Sequence, residues 1–144
     1  MSVKQISVFL ENRPGTLAEL TRVLGENGVD MRAFALAESS DFGIARMIVD
    51  DVFHTTTVLR DAEFIHSITK VVAVAIPDEP GGLTQVLMYL SGAGINVEYS
   101  YAFLGGKAAK EAYLILRVSD EKKAAAVLQS KGIRLVDQEE LSSL

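Results

Sequence analysis

Two short runs hold the side chains best placed to do chemistry. One is Glu-Asn-Arg-Pro-Gly-Thr-Leu at residues 11–17, the other Pro-Asp-Glu-Pro-Gly-Gly-Leu at residues 77–83. Each sets polar residues, Asn12 and Arg13 or Asp78 and Glu79, directly before a Pro-Gly pair and an apolar stretch of helical period. A tight strand-to-helix turn accounts for Pro14, Gly15, Pro80 and Gly81, because Pro fixes φ and Gly tolerates angles that other residues avoid. It accounts less fully for Asn12, although Asn also favours turns. The alternative is binding: a Gly at a helix start leaves backbone N–H groups open at the positive end of the helix dipole, where a carboxylate or phosphate is stabilised. The motif by itself leaves both readings open.

Composition removes most other chemistry. The chain has no Cys, which excludes disulfides, thiolate catalysis and thiolate metal sites. Two histidines, His54 and His66, are too few for a histidine metal cluster, and each reads as an ordinary surface or strand residue. There is no Ser-His-Asp set, no paired acids in an apolar pocket and no phosphate-binding lysine loop. The 14 Lys and Arg against 19 Asp and Glu give a net charge of −5 without a basic run, so nucleic acid is not expected. No stretch approaches a membrane span and the start lacks a leader pattern, which reads as a cytoplasmic, unprocessed protein with no cofactor.

The two runs are copies within a larger repeat. Gly15 aligns with Gly81 at an offset of 66, which also carries Leu24 onto Leu90, Gly28 onto Gly94 and Asp30 onto Asn96. Further on, the offset becomes 69: Val49 pairs with Val118, Asp51 with Asp120 and Phe64 with Ile133. The three extra residues are expected in 105–110, where a Gly-Gly turn tolerates insertion.

The elements that must position these runs follow from the periodicity. The first half predicts a strand over 5–10, a helix presenting Leu17, Leu20, Val23 and Leu24, and a stop at Gly28. Strands over 31–37 and 44–49, a helix capped by Asp50 or Asp51 and a strand over 64–68 complete it. The second half predicts a strand over 71–76, a helix presenting Leu83, Val86, Leu87 and Leu90, and a stop at Gly94. Strands over 97–103 and 112–118, a helix with Ala124, Val127 and Leu128, and a strand over 133–136 follow. Tyr99, Tyr101 and Phe103 share a strand face, Met31, Met47 and Met88 read as core, and residues 137–144 as a helical turn or frayed end. The fold class is therefore α+β, two ferredoxin-like βαββαβ modules over residues 1–69 and 70–144. Their exposed edges predict antiparallel sheets paired side by side as a pseudo-dimer, with helices on one face.

FLENRPGTLAELTRVLGENGVDM and AIPDEPGGLTQVLMYLSGAGINVEY both resemble the opening of the ACT domain, a small-molecule sensing module of amino-acid metabolism. The likeness spans the chain as a tandem pair and is nearest to stand-alone two-ACT proteins without a catalytic domain. It implies a non-enzymatic regulatory protein that binds a free amino acid in the groove between paired modules. Carried onto this sequence, one site joins Asn12, Arg13, Pro14, Gly15, Thr16 and Leu17 to Asn96 and Val97. The other joins Asp78, Glu79, Gly81, Gly82 and Leu83 to Asp30 and Met31.

The residues make those two sites unequal. Asn12, Asn96 and Arg13 can hold both ends of a zwitterion, whereas Asp78, Glu79 and Asp30 would oppose a carboxylate by about 1 kcal/mol per close pair even at high dielectric. The first is the stronger site, and flanking Leu10, Leu17 and Val97 favour an apolar ligand. The competing readings are a ligand-free oligomerisation module and a small acylphosphatase-type hydrolase using Arg13 and Asn12, which Pro14 disfavours by removing a loop donor. Exposed sheet surface points to a homodimer.

Overall fold

The computed structural model describes residues 2–103 and 111–144. The chain divides into two compact units, Lys4–Thr69 and Lys70–Leu144, with Val3 counted in the second. The first holds β1 (Val3–Glu11), α1 (Thr16–Glu26), β2 (Met31–Glu38), β3 (Phe42–Val49), α2 (Val52–Asp61) and the opening of β4 (His66–Pro77). β3 runs antiparallel between β1 and β2, with Val8 opposite Ala45 and Leu36 opposite Ala45 on its other side. The Phe9 N–H donates to Ile65 O at 2.9 Å and brings the entry to β4 beside β1.

The second unit continues with the rest of β4, α3 (Gly82–Gly92), β5 (Val97–Ala102), β6 (Glu111–Val118), α4 (Glu121–Ser130), β7 (Arg134–Val136) and α5 (Gln138–Ser143). All pairings are antiparallel and give the order β7-β4-β6-β5. Each unit is thus a βαββαβ module of the α+β class. Period-two strands turn Ile6, Val8 and Leu10 with Ala45, Met47 and Val49 toward one side, where Leu20 and Leu24 of α1 and Leu59 of α2 cover them. Val72, Val74, Ile76, Leu116, Val86, Leu90 and Leu128 build the same layer in the second unit.

The sequence repeat reappears in matching backbone hydrogen bonds. Val29 N–H donates to Leu24 O at 3.0 Å and Ile95 N–H to Leu90 O at 2.9 Å, a shift of 66. Asp50 N–H to Asp30 O and Ser119 N–H to Asn96 O connect positions shifted by 69 and 66. The three residues between these offsets were expected in 105–110, which lies outside the described residues; the description resumes with the strand at Glu111. Asp51 caps α2 through the His54 N–H and Asp120 caps α4 through the Lys123 N–H, both at 3.0 Å. Asp51→Ala and Asp120→Ala are each expected to cost about 1 kcal/mol in urea unfolding, and an unchanged midpoint would remove these caps from the account.

Several expectations change. The strands expected over 64–68 and 71–76 are one strand, β4, since His-Ser-Ile-Thr-Lys-Val holds no Gly or Pro to stop it. Met88, read as core, is 67% exposed: it sits two positions from both Val86 and Leu90, on the far side of α3. Leu83 is likewise exposed, and Val86 and Leu90 carry the helix core. Asp51 rather than Asp50 is the cap. The tail is anchored, not frayed: Leu141 is buried and Arg134 Nη1 reaches both Glu140 oxygens at 2.8 and 2.9 Å.

Candidate functional site

The loop from Glu11 to Thr16 is held by its own backbone. Arg13 N–H donates to Glu11 O at 3.0 Å, Thr16 N–H to Arg13 O at 3.4 Å and Glu19 N–H to Gly15 O at 2.9 Å. Gly15 is the N-cap of α1 at φ 91°, a left-handed angle that favours glycine, and it has no side chain to offer the helix. The Thr16 hydroxyl lies 2.8 Å from Glu11 O and 3.1 Å from Arg13 O, so it secures the turn instead of capping. The first turn of α1 therefore presents its positive end with no side-chain cap.

Beside this helix start lies an open cavity of about 550 Å³. Arg13, Pro14, Gly15 and Thr16 border it from the loop, and Phe9, Leu10, Phe64 and Ile65 supply an apolar wall. Glu11, Glu19 and Glu63 bring carboxylates to its rim. The Arg13 guanidinium is well exposed and paired with Glu11. Arg22 bonds Glu19 through Nε at 3.0 Å and holds its carboxyl below the usual carboxylate range. The cavity is thus an apolar floor between the Arg13 guanidinium with a helix start and several carboxyl groups.

Glu63 stands out by its backbone. Among the described residues it is the one non-glycine at positive φ, 63°, and the equivalent position in the second unit is Gly132 at φ 78°. A side chain in this region costs on the order of 1 kcal/mol, so the first unit keeps a carboxylate where its copy takes the unstrained residue.

Not every expected residue meets this cavity. Asn12 donates through Nδ2 to Ser39 O and through its backbone N–H to Asp41 O, both at 3.0 Å, which ties the loop to the β2–β3 connection. Leu17 packs against the core of the first unit. Asn96 and Val97, at the start of β5, border a separate depression of about 420 Å³ with Leu87, Ser91 and Gly94. There the Asn96 N–H donates to Ser119 Oγ at 3.1 Å.

The second loop copies the first in its backbone but not in its space. Glu79 N–H to Pro77 O, Gly82 N–H to Glu79 O and Gln85 N–H to Gly81 O repeat the pattern at 3.0, 3.2 and 3.3 Å, with Gly81 at φ 89°. Where the first loop carries Thr16, a Cβ at Gly82 would come within 2.8 Å of Pro77 O. Asp78 and Glu79 are exposed. Asp30, expected to add a third bare acid, instead takes Arg32 Nη1 at 2.7 Å, and its N–H is held by Asp50 Oδ1 at 3.1 Å. Its charge is compensated locally, which weakens the electrostatic argument against the second loop. Met31 packs partly into the first core.

Sequence reasoning missed Phe9, Glu19, Glu63, Phe64 and Ile65. The signal was available in the topology, because a ferredoxin-like module sets its fourth strand beside its first and so beside the loop that follows the first. Elsewhere the described residues hold no group of three His, Asp or Glu fit for a metal, and no helix long and apolar enough to cross a membrane. His54 Nε2 and His66 Nδ1 are engaged by Asn27 O and Phe64 O at 2.8 and 2.9 Å.

A family model described as an ACT domain pair matches residues 1–144. Among solved structures, protein BT0572 from Bacteroides thetaiotaomicron is 38% identical, with a TM-score of 0.92 over 100% of this chain and 98% of that one. The ligand-free regulatory subunit of aspartate kinase from Thermus thermophilus is 15% identical, with a TM-score of 0.60 over 88% and 90%. The corresponding subunit from Thermus flavus is 16% identical, with a TM-score of 0.58 over 88% of both chains. These two likenesses are of fold. No curated protein matches the chain.

Proposed function

Because the chain belongs to the family of ACT domain pairs, we propose that it is a non-enzymatic, cytoplasmic regulatory protein whose effector is a free amino acid bound at the 12–16 loop. The cavity of about 550 Å³ carries this reading. Its size suits a small molecule, and its two ends suit a zwitterion: the carboxylate toward Arg13 and the start of α1, the ammonium toward Glu63 and Glu19. Phe9, Phe64 and Ile65 favour an apolar side chain between them. The hydroxyl at the cavity, that of Thr16, is committed to backbone carbonyls, and no histidine lines the wall to act as its base. A bound effector stabilises the state that holds it, by about 2.7 kcal/mol at a hundredfold excess over Kd, and so biases what a partner enzyme meets. The fold shared with aspartate kinase regulatory subunits supports an enzyme of amino-acid metabolism as that partner.

A thermal-shift screen of the whole chain against the twenty amino acids tests this. At least one apolar amino acid is expected to raise Tm, while its methyl ester and its N-acetyl form do not. Arg13→Ala should weaken that ligand at least tenfold without lowering stability. Glu63→Gly should also weaken it, yet raise the unfolding free energy by about 0.5–1 kcal/mol by relieving the left-handed strain. If no amino acid shifts Tm, the ligand-free interaction module is the better reading.

A further inference from the structure

Three carboxyl groups stand at the rim of the cavity beside the 12–16 loop, and they are not equivalent. Glu11 accepts from Arg13 Nε at 2.5 Å, and Glu19 accepts from Arg22 Nε at 3.0 Å, while Arg22 Nη1 donates to Glu26 at 2.7 Å. Each of the first two acids already has its cation. The Glu63 carboxyl is exposed where it borders the cavity, and it meets no hydrogen bond or ion pair among the described residues.

Nothing local favours a carboxylate at this position. Glu63 follows Ala62, the C-cap of α2; its N–H donates to Arg60 O at 3.0 Å and the Phe64 N–H returns to Leu59 O at 2.9 Å. That closure calls for a left-handed residue, which glycine supplies without strain. Gly132 does so after α4, where the Ile133 N–H returns to Leu128 O at 3.0 Å. The closure also sets the Glu63 side chain at the negative end of the α2 dipole, which repels an anion and attracts a cation. Backbone angle and dipole both oppose Glu63, and no described side chain offsets them. A cation in the cavity would, because it gains the carboxylate and the helix end together. α1 supplies the opposite pole, since its uncapped start and Arg13 border the same cavity.

We infer that Glu63 is the specificity-determining residue of this cavity: with the end of α2 it selects ligands that carry a free ammonium. The inference rests on the amino-acid reading of the same cavity. Leucine, isoleucine, valine, methionine and phenylalanine each differ by the ammonium alone from the acid that lacks their amino group, 4-methylpentanoate for leucine and 3-phenylpropanoate for phenylalanine. The ratio of Kd values within such a pair, measured by calorimetry on the whole chain, therefore reads this pole by itself. The parent chain is expected to prefer the amino acid of at least one pair by about tenfold or more. Glu63→Gln keeps the size of the side chain and should bring that pair within about threefold, by weakening the amino acid while the Kd of the deaminated acid stays within about twofold. A purely structural role for Glu63 would weaken both members together and leave their ratio where it was. If none of these amino acids binds the parent chain, the amino-acid reading falls and this inference with it. A parent chain that binds both members of each pair equally, or a Glu63→Gln chain that keeps the preference, would overturn this inference alone.

Discussion

Leu24→Ala and Leu90→Ala are each expected to lower the unfolding free energy by about 2–5 kcal/mol, read as a fall in the urea midpoint at unchanged slope. Both side chains are essentially fully buried, at 1% and 0% exposure, in the layer between helix and sheet of their own units. Each lies where its helix stops, and its carbonyl accepts the N–H that turns the chain toward the next strand. Truncation removes transfer free energy and leaves a cavity that a sheet-backed site cannot fill by collapse. The effect is large relative to what a unit of about 70 residues can hold in reserve. A loss below about 1 kcal/mol at either position would mean that the layer repacks, and that the two cores are softer than their burial implies.

Gly82→Thr should destabilise the chain by about 1–3 kcal/mol, although Thr is the residue found at the matching position of the first loop. The new Cβ would lie 2.8 Å from Pro77 O, a backbone atom at the end of β4 that cannot swing aside. The reverse change, Thr16→Gly, removes a hydroxyl bonded to Glu11 O and should cost about 1 kcal/mol. Paired urea titrations of the two variants give a direct test. A Gly82→Thr chain as stable as its parent would show that the second loop opens without penalty to the geometry of the first. The contrast also bears on binding, since the first turn carries its side chain beside the charged cavity, whereas a side chain at Gly82 would meet its own strand.

Most of the architecture was legible because its signals are local. Pro14-Gly15 and Pro80-Gly81 mark the turns, Gly28 and Gly94 mark the helix ends at φ 70° and 73°, and apolar periods of two and near four assign the elements between them. Leu20, Leu24 and Met47 fall in the core as their spacing requires. The misreadings occur where a local signal is weak or one-sided. Met88 and Leu83 are apolar on a helix so rich in apolar residues that its period does not identify the buried face. The junction at Thr69 carries no turn residue, so nothing in the pattern distinguishes one strand from two.

The chain's own residues thus determined a duplicated βαββαβ module, the two Pro-Gly turns, and the different polar residues set before each of them. The tertiary structure alone decided which side chains those loops meet. It sends Asn12 to Ser39 O, sets Arg32 on Asp30, and brings Glu63, Phe64 and Ile65 to the cavity from about fifty residues away. The reason is physical: periodicity reports which face of an element is buried, but a partner across a strand or a turn is fixed by register and by where a side chain points. Neither is encoded at any one position, and both appear only when the fourth strand closes beside the first.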